Sequence, residues 1–146
     1  MKNLFYLCLL FTFAKVSAQN FQASCRKAIN ENGSMVSVEV AASFPGGYAA
    51  MFDYLKSNLQ YPAEASEKRA SGTVFVALLI TETGKLDKIS IRQSVGFGCD
   101  EEAIRLIQAM PNWIPAQQNG KALRTKLMIP IPFENPMEQT LALNKR

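Results

Sequence analysis

The chain has 146 residues, 48% of them hydrophobic and 19% charged, and a formal net charge of +4. This length and composition fit one globular domain with appendages. The complete absence of histidine excludes Ser-His-Asp and Cys-His catalysis and removes the commonest transition-metal ligand, while the lack of a basic stripe interleaved with aromatics argues against nucleic acid as a partner.

Residues 1–18 read as a signal peptide. Lys2 supplies the positive n-region, Leu4 to Ala14 the apolar h-region, and Val16-Ser17-Ala18 the small residues before Gln19. The alternative is an uncleaved membrane anchor, but eleven apolar residues span only ~16 Å as a helix against a hydrocarbon core of about 30 Å. Loss of Lys2 and Lys15 with the signal lowers the basic residues from 16 to 14 against 12 acidic ones, a net of +2. Cys8 leaves as well. Cys25 and Cys99 then remain, either as a disulfide or as two separate thiols. Two cysteines without histidine make a poor zinc site, so no metal is expected. No Gly-rich phosphate loop is present, and no cofactor is expected either.

Residues 19–42 form a lead segment, with a turn at Asn30-Glu31-Asn32-Gly33 and a short alternating run from Met35 to Val40 that fits a strand. Phe44-Pro45-Gly46-Gly47 is a turn. Tyr48, Met51, Phe52, Leu55 and Leu59 then fall on one helical face. This helix should stop before Tyr61-Pro62, and Pro62 can open a second short helix over Ala63 to Ala70.

Thr73 to Ile80 is apolar at almost every position, as in a central strand covered on both faces. Glu82-Thr83-Gly84-Lys85 is a turn, and Leu86 to Val95 alternates with Lys88, Ser90 and Arg92 on a wet face. A three-stranded sheet with its helices on one face would leave Phe75, Ala77 and Leu79 wet. Either the helix over Tyr48 to Leu59 or a second copy of the chain should cover them.

Asp100-Glu101-Glu102 opens a second main helix, running to Met110, where carboxylates complement the positive end of the helix dipole. That role accounts for them better than general acid–base work. Asn119-Gly120-Lys121 is a turn before the last strand, Ala122 to Phe133. Leu123, Thr125, Leu127, Ile129, Ile131 and Phe133 line one face, and Arg124, Lys126 and Met128 the other, followed by Pro130 and Pro132. Proline in a strand belongs on an open edge. The expected fold is therefore α+β: a three-stranded antiparallel sheet with a ββαβ core, packed by helices on one face, with an extra N-terminal helix. Residues 43–133 form the domain and 134–146 a mobile tail. An open edge accepts an extended peptide from a partner, so a binding module is expected rather than an enzyme.

The series Phe44-Pro45-Gly46-Gly47, Leu59-Gln60-Tyr61-Pro62-Ala63, Gly72-Thr73-Val74, Gly84-Lys85, Asp100-Glu101-Glu102-Ala103, Met110-Pro111-Asn112-Trp113, Asn119-Gly120-Lys121 and Ile129-Pro130-Ile131 resembles the TonB C-terminal domain in its stand-alone form. The resemblance covers about Ser43 to Phe133. It implies a periplasmic module that grips the TonB box of an outer-membrane TonB-dependent receptor in energy-dependent transport. The box adds as a strand beside the last strand, and residues around the Tyr-Pro motif also contact it. The implied peptide-binding residues are Asn58, Gln60, Tyr61, Pro62, Arg124, Lys126 and Met128. An anchored chain would also engage the ExbB–ExbD motor. This sequence departs from the full-length pattern. It has no long proline-rich spacer, and about 25 residues separate the signal from Phe44, a reach of at most roughly 90 Å. A non-transducing envelope adaptor or a homodimer using the same fold is the second reading. The prolines are expected to confine the usable edge to Arg124–Met128, or else to blunt it against aggregation.

Overall fold

Strand β3 (Gly72–Ile80) forms the centre of the sheet, flanked by β4 (Leu86–Gln93) and β7 (Thr125–Phe133), both antiparallel to it. This computed structural model describes residues 27–30 and 32–135. The signal segment, Cys25 and residues 136–146 lie outside the described residues. The remaining elements are β1 (Lys27–Ile29), β2 (Met35–Ser37), α1 (Gly47–Asn58), α2 (Ala63–Glu67), α3 (Cys99–Gln108), β5 (Ala116–Gln118) and β6 (Lys121–Leu123).

The core lies between one face of the sheet and the helices. Val74, Val76, Leu78 and Ile80 of β3 are buried, as are Leu127, Ile129, Ile131 and Phe133 of β7. Each such side chain contributes about 1.5–3 kcal/mol on burial, which makes the β3–β7 pair the main apolar seam. Ala103, Leu106 and Ile107 of α3 close over it, along with Met51 and Leu55 of α1. The Tyr54 hydroxyl donates to the Leu106 carbonyl at 3.1 Å, so α1 lies in the helix layer. It therefore does not cover the second face of β3, where Phe75 and Ala77 stay half-buried. Phe52, expected on the apolar face of α1, is 43% exposed and packs on Tyr48 with ring centroids 5.8 Å apart.

The expected strand from Ala122 to Phe133 is divided. Its first residues form β6 and pair with β5, and beyond Arg124, which bridges Ile29, the chain continues as β7. The described part of the lead segment is docked. Ala28 and Ala42 are buried, Val40 and Ser43 form backbone bridges with Gln117 and Ile114, and Ile29 bridges Arg124.

One close approach fastens the β3–β4 turn to the segment after α3. The Trp113 N–H donates to the Gly84 carbonyl at 2.8 Å, and Trp113 meets Phe44 edge-on at 5.7 Å. Gly84 has φ +80°, and a Cβ built on it would stand 1.9 Å from the Trp113 carbonyl oxygen. Gly120 has φ +72° with nothing within 4 Å of such a Cβ. Gly120→Ala should therefore cost only the left-handed backbone penalty, about 1–2 kcal/mol. Gly84→Ala adds a backbone clash and should cost more than about 3 kcal/mol. Denaturant unfolding of the two variants measures the difference, and equal losses would refute the close approach.

Candidate functional site

The sheet has two outer edges, and they differ. β4 pairs with β3 through two register shifts, between Phe75 and Val76 and between Ala77 and Leu79. Lys88 sits in the left-handed region at φ +49°. Bulges and charged side chains of this kind interrupt an edge. β7 pairs with β3 without interruption from Gly72–Phe133 to Ile80–Thr125, so its far side is the straighter template.

Which groups that far side offers follows from the prolines. Pro130 and Pro132 have no N–H, so the even-numbered residues cannot be the ones that bond to β3 on both atoms. The Arg124 carbonyl agrees, since it accepts from the Ile29 N–H at 2.7 Å on the side away from β3. From Lys126 to Pro132 the outer edge thus presents two N–H donors, of Lys126 and Met128, and four carbonyl acceptors. Among the described residues, β7 has no ladder partner on that side beyond the Ile29 bridge. At its start, the edge expected over Arg124–Met128 is therefore already engaged by β1. The Arg124 guanidinium also pairs with Glu82, Nε to Oε1 at 2.8 Å, with both side chains about half exposed. The Glu82 carboxyl is held below its usual range, first by its own backbone N–H and then by Arg124. As a surface pair it adds little to stability. Lys126 and Met128 are exposed on the face opposite the core.

The Tyr-Pro segment is built differently. Asn58 closes α1, and its side-chain amide donates to the Tyr54 carbonyl at 2.8 Å. The Gln60 N–H donates to Glu102 Oε1 at 2.7 Å, and Arg105 donates to the Asn58 carbonyl at 2.8 Å. Glu102 and Arg105, one turn apart on α3, face each other through a bidentate pair, both contacts at 2.7 Å. Glu102 is only 9% exposed, so this pair fixes the segment from inside. The Tyr61 hydroxyl donates to the Ala70 carbonyl, and the Tyr61 ring lies 6.4 Å from Phe133. A Cβ at Gly98, which precedes α3, would lie 3.1 Å from Pro62.

The expected site residues therefore form two groups. Asn58, Gln60, Tyr61 and Pro62 lie at the Phe133 end of β7, while Arg124, Lys126 and Met128 lie at its start. Seven residue steps of strand separate Lys126 from Phe133, roughly 23 Å. From the sequence, Glu102 has only a role at the helix start and Arg105 has none. Their spacing of three residues on one helix was the available signal for an ion pair, but not for its grip on Gln60. Cys99 is fully buried with a free thiol, and burial first, then Asp100 and Glu101, raises its pKa. A protonated, enclosed thiol is a poor nucleophile. Among the described residues no group of histidine, cysteine or carboxylate side chains could hold a metal ion, and no helix is long and apolar enough to cross a membrane.

The family model of the Gram-negative bacterial TonB protein C-terminal region matches residues 57–134. Neither a curated protein nor a solved structure gives a significant match. With more than half of its length matched, the chain belongs to the TonB C-terminal family. Members are protein-interaction modules of the Gram-negative periplasm that act with outer-membrane receptors in energy-coupled transport.

The Glu102 contact has a pH signature. Arg105 above all, with help from the Gln60 N–H and against burial, holds the Glu102 carboxyl below the usual 4.5. The unfolded chain therefore takes up the proton first. Stability from this contact is complete above the usual value and is lost as pH falls through the lowered one. Glu102→Gln should flatten that part of the acid-unfolding curve, and Glu102→Ala should cost about 1–3 kcal/mol near neutral pH. An unchanged acid limb in Glu102→Gln would refute the assignment.

Proposed function

We propose that the chain is a periplasmic peptide-binding module that takes up a TonB-box-type segment of an outer-membrane receptor as an added strand on β7. The observation that carries this reading is the outer edge of β7, with its regular register and its donors at Lys126 and Met128. Family membership supports the receptor as partner. The bulged β4 edge makes β7 the better acceptor.

In this reading the incoming strand bonds to Lys126 and Met128 and continues past Pro130 and Pro132 only as a donor to their carbonyls. Arg124 lies where the hairpin of β1 and β2 meets the sheet, so the segment begins beside Ile29 or displaces it. Asn58, Gln60, Tyr61 and Pro62 contact the other end of the same segment. Residues 1–18 act as a signal peptide in this reading. ExbB–ExbD engagement would require that segment to remain as an anchor. The adaptor reading differs in lacking force transmission, and it uses the same edge.

A test follows from the direction of the Met128 N–H. Met128→Pro removes an outward donor and leaves the ladder to β3 intact, as Pro130 and Pro132 already do. In a labelled-amide titration with the periplasm-facing N-terminal segment of a TonB-dependent receptor from the same genome, shifts should run along residues 126–133. Met128→Pro should weaken binding about tenfold or more, since loss of one hydrogen bond is joined by a steric block. Shifts confined to residues 58–62, with no change along β7, would sink the proposal.

A further inference from the structure

The second face of the sheet forms an open trough of about 690 Å³. Its floor is apolar. The register sets Met128 beside Ala77 and Lys126 beside Leu79, and Ser90 flanks Ala77 from the other side. Leu79 is only 6% exposed, yet it lies outside the main core cluster. It is buried on the far side of the sheet, where long basic side chains stand around it.

The rims are cationic. Lys88 and Arg92 line the β4 side, and Lys126 and Arg124 the β7 side. Among the described residues, none that lines the trough is acidic, and the carboxylates of Glu82 and Asp87 stand near it. Glu82 is held by Arg124, and Asp87 is paired in register with Leu79 and accepts from the Lys88 backbone N–H. Among the described residues, Lys88, Arg92 and Lys126 have no carboxylate partner.

We infer that this trough is a second docking surface, distinct from the β7 edge, for an acidic segment of a partner protein that carries apolar residues between its carboxylates. Charge selects the occupant. Residues 1–26 hold Lys2, Lys15 and Arg26 and no acid, and residues 136–146 hold Glu138 against Lys145 and Arg146. Neither stretch brings net negative charge. A symmetric pairing of two copies through this face would set cations against cations. The surface is concave, with an apolar floor below its charges, which suits a chain segment better than a membrane plane. The volume fits a short peptide stretch, and every rim charge is solvent-accessible, so affinity should be steered electrostatically and weaken with salt.

The test uses the full chain and a fluorescein-labelled peptide, Glu-Glu-Leu-Glu-Asp-Leu-Glu-Glu, read by anisotropy. Binding should weaken severalfold between about 20 mM and about 200 mM salt. The double variant Lys88→Glu/Arg92→Glu should bind about tenfold or more weakly. Both positions are exposed on β4, and amide spectra of the variant check that it folds. The same variant should keep the β7-edge shifts with the receptor segment, so failure of the trough is told apart from failure of the edge. Equal peptide affinity in the two proteins would overturn the inference. So would capture by phosphatidylglycerol vesicles in place of the peptide, or a dimer in sedimentation equilibrium that the double variant dissociates.

Discussion

Alternation along β7 governs this fold. A strand residue directs its side chain to one face and its backbone groups to one lateral side, and both alternate together. In β7 the odd positions carry Leu127, Ile129, Ile131 and Phe133, all buried, and they bond to β3. The even positions carry Arg124, Lys126, Met128, Pro130 and Pro132, which look away from the core and away from β3. A slip of one residue would bury Lys126 and ask Pro130 for an N–H it lacks. Hydrophobic phase and proline phase thus specify the same register. The apolar seam, the open face and the free edge all follow from that one alignment.

The helices and linkers hold that sheet from one side only. Phe44 packs between Tyr54 and Trp113, at 5.8 and 5.7 Å, and so joins the Phe-Pro-Gly-Gly turn, α1 and the segment after α3. Trp113 in turn is tied by its backbone to Gly84. The Glu102–Arg105 pair performs the same task for the Tyr-Pro segment, with one partner nearly buried and the other reaching Asn58. These ties are aromatic and polar contacts among the helices and loops. They set the position of loops without covering the far face of β3, and that is why one face of a central strand can stay open while its neighbour forms the core.

The main elements were legible because each carries its own periodicity. The alternation of β7 and the Ala103–Leu106–Ile107 stripe of α3 report their surroundings directly, whereas the continuous apolar run of β3 read as covered on both faces although Phe75 and Ala77 on its second face stay half-buried. The three-residue strands β1, β5 and β6 were not legible, since three residues hold no period, and their pairing depends on tertiary contacts such as that of Ile29 with Arg124. For the same reason the docking of the lead segment, with Ala28 and Ala42 buried, was not legible. Phe52 shows the opposite failure. Helical spacing placed it on the apolar face, but that stripe is wider than the surface α1 buries, and only Met51 and Leu55 of α1 are fully enclosed. For the candidate site, the proline argument located the edge. The occupation of Arg124 by β1 and the Glu102 clasp on Gln60 both join residues too distant in sequence for any local pattern to reveal.

The short edge also limits what strand addition can achieve alone. From Lys126 to Pro132 it can form about six backbone hydrogen bonds, each worth about 0.5–1.5 kcal/mol net, or roughly 3–9 kcal/mol together. Association itself costs an estimated 4–15 kcal/mol, and micromolar binding needs about 8 kcal/mol beyond that. Backbone pairing on this edge therefore falls short of stable binding. A partner has to draw on side-chain contacts elsewhere, and the molecule offers them at two places: the Tyr-Pro segment at the Phe133 end, and the cationic trough on the open face. Because edge acceptors outnumber donors, the partner strand must also offer more N–H groups than it receives, which favours a segment without prolines opposite Pro130 and Pro132. Such a division, with a weak backbone clamp for register and separate surfaces for affinity, permits a contact that forms and releases readily.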